Sequence, residues 1–216
     1  MPLQFPLKTD QFLDTLPISR VTFHLGRAVT FSETGGGERI AHGRGARLWG
    51  GKVVLDKDTH ANWAAIEARM ALLEEPGASF LLRDPRMTGP IADPVKHVLG
   101  AAEPEIGAVS DDLRSMDISR LPAGYIVSTG DLLGFQYGAN PKRFACHRVV
   151  VGSIADSVGR ANAIEVTPFL RPGASVGTPI TLGTPVLKAT LNEAEYGASR
   201  ATISQGGSFD WVQTLR

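Results

Sequence analysis

The residues with chemistry to offer are few and scattered along the chain. Cys146 and His147 are adjacent and invite a thiol–imidazole dyad. Neighbours on a strand point to opposite faces, however, so the two side chains cannot meet there, and a buried structural cysteine is the better reading. The other histidines, His24, His42, His60 and His97, give no His-x-His, His-x-x-x-His or His-Glu-x-x-His spacing. No Cys-x-x-Cys pair exists either, so a metal site has little support. Glu103/Glu105 and Asp111-Asp112 could supply paired carboxylates for acid–base work, but they fall in a turn-rich stretch where acidic residues are ordinarily solvated. Asp131 and Asp156 sit in glycine-containing turns, where an Asp side chain bonds local backbone amides. Gly43-Arg44-Gly45 and Gly50-Gly51 fit neither a dinucleotide fingerprint nor a P-loop, and no Gly-x-Ser-x-Gly elbow is present.

Two further groups bear on binding rather than catalysis. Trp49, Trp63 and Trp211 could form a sugar-stacking platform, but the helical spacing around Trp63 and the terminal-strand position of Trp211 favour core packing. Arg44, Arg47, Arg83, Arg86 and Arg171 stand beside loop or strand ends, where interface salt bridges and plain solvation are equally good readings. No residue is therefore assigned a catalytic, cofactor-binding or metal-ligating role, no cofactor is expected, and the chain is read as a non-enzyme.

The elements that would carry these residues are mostly short strands. From Phe144 to Val151 the pattern has period two, with Phe144, Cys146 and Val150 on one face and Ala145, His147, Val149 and Val151 on the other, which predicts a half-buried antiparallel strand. Residues 18–25 alternate in the same way, and Arg27–Phe31 reads as another strand, separated from Arg39-Ile40-Ala41 by a flexible Gly35-Gly36-Gly37 loop. Residues 47–55 predict a strand kinked or bulged at Gly50-Gly51. The only clear helix follows, capped by Asp58 or Thr59, with Trp63, Ile66, Met70 and Leu73 as one apolar stripe and Glu74-Glu75-Pro76-Gly77 as its end. Ser79–Arg83 is a strand stopped by Asp84-Pro85. Residues 84–120 read as a connection with short strands, and Pro2 and Pro6 discourage a regular element at the start. Strand candidates continue at 180–182, 186–191, 202–204 and 209–215.

Composition narrows the class. A chain of 216 residues holds one large domain or two small ones. Its 24 glycines and 14 prolines, spread along the chain, suit many short strands better than a helical bundle. Lys+Arg and Asp+Glu both number 22, which argues against a dedicated nucleic-acid binder and does little to oppose self-association. The start shows no signal-peptide pattern, and no run approaches the roughly 18 apolar residues of a membrane helix. The expected fold is mainly β, a β-sandwich with one packed α-helix plus an inserted small β-barrel. Residues 1–88 with 186–216 are expected to form the sandwich and 89–185 the insert.

An ordered set of motifs resembles the distal tail protein (Dit-like) family of long-tailed bacteriophages. It runs from Arg47-Leu48-Trp49 with Val53 and Leu55, through Trp63 on the helix and Gly77, to Phe80-Leu81-Leu82-Arg83-Asp84-Pro85. Within the insert it continues as Thr129-Gly130-Asp131, Arg148-Val149, Ala155-Asp156-Ser157-Val158-Gly159 and Pro168-Phe169-Leu170-Arg171. Leu48 stands where the family carries tryptophan, and the acidic 100–120 stretch has no counterpart.

The resemblance implies a structural virion protein made in the host cytoplasm and located at the tail tip. Its partners would be itself, in a homo-hexameric ring, then the tail tube protein and the baseplate hub protein, with a side-fibre or receptor-binding protein as a further one and no membrane. The sandwich would build the ring, and the OB- or galectin-like barrel would face outward. The alternatives are a carbohydrate-binding β module used in receptor attachment and a small hydrolase.

Overall fold

The computed structural model describes residues 3–200 and 202–216, without the side chains of Ser199 and Arg200; Pro2 lies outside the described residues. The chain is mainly β, with 41% of residues in strands and one α-helix among the described residues. The first segment makes two short 3-10 turns, Thr9–Gln11 and Leu13–Thr15. Strands β1 (Ile18–Val21), β2 (His24–Leu25), β3 (Val29–Glu33), β4 (Arg39–Gly43), β5 (Trp49–Leu55) and β6 (Asp58–Thr59) follow, then helix α1 (His60–Leu73) and β7 (Phe80–Leu82). Next come β8 (Glu105–Val109), β9 (Ser115–Ser119), β10 (Ile126–Val127), β11 (Leu132–Tyr137), β12 (Arg143–Val151), β13 (Ser153–Ile154) and β14 (Ala161–Thr167). The chain closes with β15 (Ile180–Leu182), β16 (Leu187–Glu195), β17 (Ser199–Arg200), β18 (Ile203–Ser204) and β19 (Ser208–Gln213).

Two compact units divide the chain. One is Leu16–Pro76 with Thr190–Thr214; the other is Met1–Thr15 with Gly77–Ala189 and Leu215–Arg216. The N-terminal segment and residues 77–88, grouped with the sandwich on sequence grounds, thus go with 89–185. Their bonding gives the reason. Leu7 N–H donates to Ser79 O and Leu81 N–H to Leu7 O, the Phe12 and Phe80 rings meet edge to face at 5.1 Å, and Arg83 pairs with Asp14 at 2.7 Å.

In the first unit, β5 lies between β1 and β19, with β2 also on β5 and β16 beyond β19. The expected strand over 18–25 is interrupted at Thr22-Phe23, and Gly51 explains why. A Cβ there would lie 1.8 Å from the Thr22 carbonyl oxygen, so only glycine allows the close approach. Phe23 fills the space between Trp49 and Trp211, with ring centroids 5.1 and 5.0 Å away. Thr59 is the cap of α1, its hydroxyl accepting from Asn62 N–H, while the Asp58 carboxylate accepts from Thr59 N–H and the Asn62 amide. Trp63, Ile66, Met70 and Leu73 are all buried, as the helical spacing predicts.

In the second unit, six strands follow the order β15-β11-β12-β14-β9-β8, all antiparallel. The sheet curls, and residues 104–106 bond to residues 178–180: Ile106 N–H donates to Thr178 O at 2.9 Å and Ile180 N–H to Pro104 O at 2.8 Å. Inside lie Ile106, Met116, Ile118, Leu133, Val149, Ile164 and Val166. The stretch read as a connection thus supplies β8 and β9, two strands of this sheet. In β12 the expected half-burial holds only after His147. Phe144, Ala145, Cys146 and His147 are all buried, and both Val150 and Val151 are exposed. A register shift between Val149 and Val151 breaks the alternation there.

Candidate functional site

The structure first disposes of the residues that offered chemistry. On β12 the Cys146 thiol and the His147 ring stand on successive strand positions. The His147 ring stacks on Phe135 at 5.5 Å, and its Nδ1 lies 2.7 Å from Pro168 O, to which it donates. Burial lowers its pKa to about 4, against the raising effect of that hydrogen bond, so the imidazole is neutral and structural. Burial likewise pushes the Cys146 thiol up to about 12, far from a reactive thiolate.

The carboxylates are equally committed. Asp131 accepts from Ile91 N–H at 2.6 Å and Ser128 N–H at 2.8 Å; burial raises its pKa by more than these amides lower it. It ties the 89–100 segment to the turn before β11. Asp93 accepts from His97 and Leu99 amides, which together with Val98 outweigh its burial and lower its pKa. Tyr125 is pushed up to about 12 by burial and then by Asp93 and Asp131. Asp112 closes the β8–β9 turn on Ser110 and Arg114, Glu105 pairs with Arg120, and Asp156 accepts from Val158 and Arg160 amides; Glu103 and Asp111 are exposed. Among the described residues no three of His, Cys, Asp or Glu gather where they could hold a metal ion. Trp49, Trp63 and Trp211 are at most 1% exposed, so no ring face is free to stack on a sugar. Of the arginines, Arg47 donates to Gly26 O and Arg86 to the buried Asp84.

A polar cluster that no sequence spacing announced joins Lys52, Glu195 and Ser208. The Ser208 hydroxyl donates to Glu195 Oε2, and Lys52 Nζ lies 3.3 Å from the same oxygen. Ser208 first and then Lys52 lower the Glu195 pKa. The trio is a cross-strand ion pair between Lys52 and Glu195, with the Ser208 hydroxyl as a further donor.

What remains is a surface. Among the described residues, strands β3 and β4 pair only with each other, from Val29↔Gly43 to Glu33↔Arg39, and all ten of their residues are exposed. Thr34 builds the turn, its N–H donating to Glu38 O and its hydroxyl accepting from Glu38 N–H, and Gly37 takes φ +81°. One face carries Val29, Phe31 and Glu33 against Gly43, Ala41 and Arg39, with the Arg39 guanidinium 3.9 Å from the Phe31 ring centre. The other carries Thr30, Ser32, Ile40 and His42, with Ser32 Oγ 3.1 Å from His42 Nε2. Val29, Phe31 and Ile40 are 42, 39 and 42% exposed. A two-stranded ribbon with no third strand or helix behind it is marginal in water, and both outer edges present unpaired backbone groups.

No family model matches the chain, and no curated protein matches it.

The hairpin springs from a groove of about 440 Å³ in the same unit, lined among others by Arg27, Leu48, Trp49, Gly50, Asn192 and Asp210. The sequence showed the strands and the glycine loop of the hairpin. Its want of a packing partner was hidden, because Val29 and Phe31 alternate with polar residues as half-buried strands do. The signal available in hindsight is the weak opposite strand, where Ile40 is the only large apolar residue. Among the described residues no helix is long and apolar enough to cross a membrane.

Proposed function

We propose that this chain is a structural virion protein, a distal tail protein whose ring joins the tail tube to the baseplate hub of a long-tailed phage. The observation that carries the reading is the unsupported β3–β4 hairpin, with three large apolar side chains held in the open. Such a ribbon gains stability only when something covers it. The ordered motifs from Arg47 to Arg171 add the family. In this reading the protein is not an enzyme, the curled six-stranded sheet is the inserted barrel, and the tryptophan-centred unit builds the ring. The buried tryptophans weigh against a carbohydrate-binding module. A closed ring needs a head-to-tail contact between two different surfaces of one chain. Light scattering and negative-stain imaging of the purified protein, alone and with tube and hub proteins, should give closed six-fold rings. A chain that stays monomeric at high concentration with both partners present overturns the proposal.

A further inference from the structure

A head-to-tail ring requires a second surface to meet the hairpin, and the same unit offers one. Beyond Leu187–Ala189, where β7 pairs with it, β16 continues through Thr190–Glu195, and among the described residues no strand pairs with that outer edge. The open stretch spans six residues against five in β4, and Asn192, Glu193 and Glu195 on it are exposed. Its charge is acidic, from Glu193 and Glu195. The hairpin region 27–47 carries Arg27, Arg39, Arg44 and Arg47 against Glu33 and Glu38. Of the two hairpin edges, β4 is the basic one, with Arg39 within it and Arg44 just past it. Open edges of matched length and opposite charge are what strand addition between chains uses.

We propose that β4 of one copy adds as an extra strand to the Thr190–Glu195 edge of β16 in a second copy, so that the hairpin is the arm that links neighbours. The inference rests on the ring reading above and names its two surfaces. Each copy gives an arm and receives one, which propagates until the ring closes. The addition removes both liabilities at once: it satisfies the unpaired backbone of the two edges and covers Phe31 or Ile40, depending on the face turned inward.

Complementation between two crippled full-length chains tests it. One variant loses the arm, by R39E with R44E; the other loses the receiving edge, by E193R. Glu195 is left alone because it holds Lys52 and Ser208. Each variant alone should associate at least about tenfold more weakly than the unmodified chain. Mixed together, the unmodified arm of one variant meets the unmodified edge of the other, and the reversed arm meets the reversed edge, so the mixture should recover rings in which the two variants alternate. Combining all three changes in one chain restores opposite charges across the joint and should recover rings. A third chain, with residues 29–43 replaced by a Gly/Ser bridge, should remain folded by circular dichroism and stay monomeric. Rings of unchanged size from that chain, or from both charge variants, overturn the arm while leaving the ring reading intact. Absence of rings from the unmodified chain overturns both.

Discussion

The six-stranded sheet of residues 105–182 and the β3–β4 hairpin are both antiparallel, both short-stranded and both patterned with alternating apolar side chains. They differ in what stands behind them. In the sheet, Leu133, Ile106 and Ile164 are fully buried, and β8 and β15 each bond to a residue just before the other. In the hairpin, none of the ten strand residues is buried and neither edge is paired. The same local pattern thus serves two ends. A curled sheet uses its apolar residues for its own core, whereas an open ribbon leaves them at the surface.

The widest gap between the two should appear in stability. Trp63→Ala, which removes the first residue of the buried α1 stripe, should cost about 3–5 kcal/mol, and Leu133→Ala in the curled sheet about 2–5 kcal/mol. Both residues are 0% exposed. Denaturant unfolding measures this directly. A loss under about 1 kcal/mol at either site would mean that the packed regions are as loose as the hairpin, and the comparison would collapse.

Acid separates the same regions by charge. Burial holds the His147 pKa near 4 in the folded chain, against an ordinary 6.5. Between these values the unfolded chain binds a proton that the folded chain refuses. The stabilisation is complete above pH 6.5 and is lost as the pH falls through 4, with a full span of about 3 kcal/mol. Replacing His147 with glutamine should flatten that slope. A slope left unchanged by the substitution would place the acid sensitivity elsewhere.

How far the sequence reached follows the same line. Periodicity located α1 and its buried face, because Trp63, Ile66, Met70 and Leu73 recur at helical spacing with a threonine cap in front. The mainly β class was equally legible from glycine, proline and alternation. Pairing was not. Nothing in Glu105–Val109 announces that it bonds to the residues before β15, since that contact lies more than 70 positions away, although its other partner, β9, follows after a short turn. The double burial of β12 was missed for a related reason: alternation tells which face a side chain takes, and a strand covered on both sides erases the contrast. The hairpin shows the opposite limit: its strands and loop were legible, but the alternation of Val29 and Phe31 with polar residues does not tell whether anything packs behind them.

Reactivity sharpens the contrast further. Cys146 is 1% exposed and its thiol is pushed up to about 12, so a thiol reagent at neutral pH should modify it only as fast as the sheet opens. A cysteine placed at Thr30 should react at the rate of a free thiol. Comparable rates for the two would show that β12 opens readily.

The smallest expected effect is the one that isolates the hairpin. Ile40→Ala and Phe31→Ser each remove a large apolar side chain, a change that would cost several kcal/mol in a core. In the hairpin Phe31 and Ile40 keep 39 and 42% of their surface in water, so their removal should cost far less than in a core. The Arg39 guanidinium over the Phe31 ring is an exposed cation–π contact worth about 0.5–1 kcal/mol at most. Unfolding free energies should therefore change by less than about 0.5 kcal/mol for Ile40→Ala and by little more for Phe31→Ser. The measurement belongs at protein concentrations low enough that chains stay apart, because anything binding only the folded form adds to apparent stability. Repeating it at high concentration turns the small number into a diagnostic. If the hairpin is covered by a second chain, the two variants should fall behind the unmodified protein as concentration rises. A gap that stays constant with concentration would mean that Phe31 and Ile40 act within one chain, and the open ribbon would have to be regarded as packed after all.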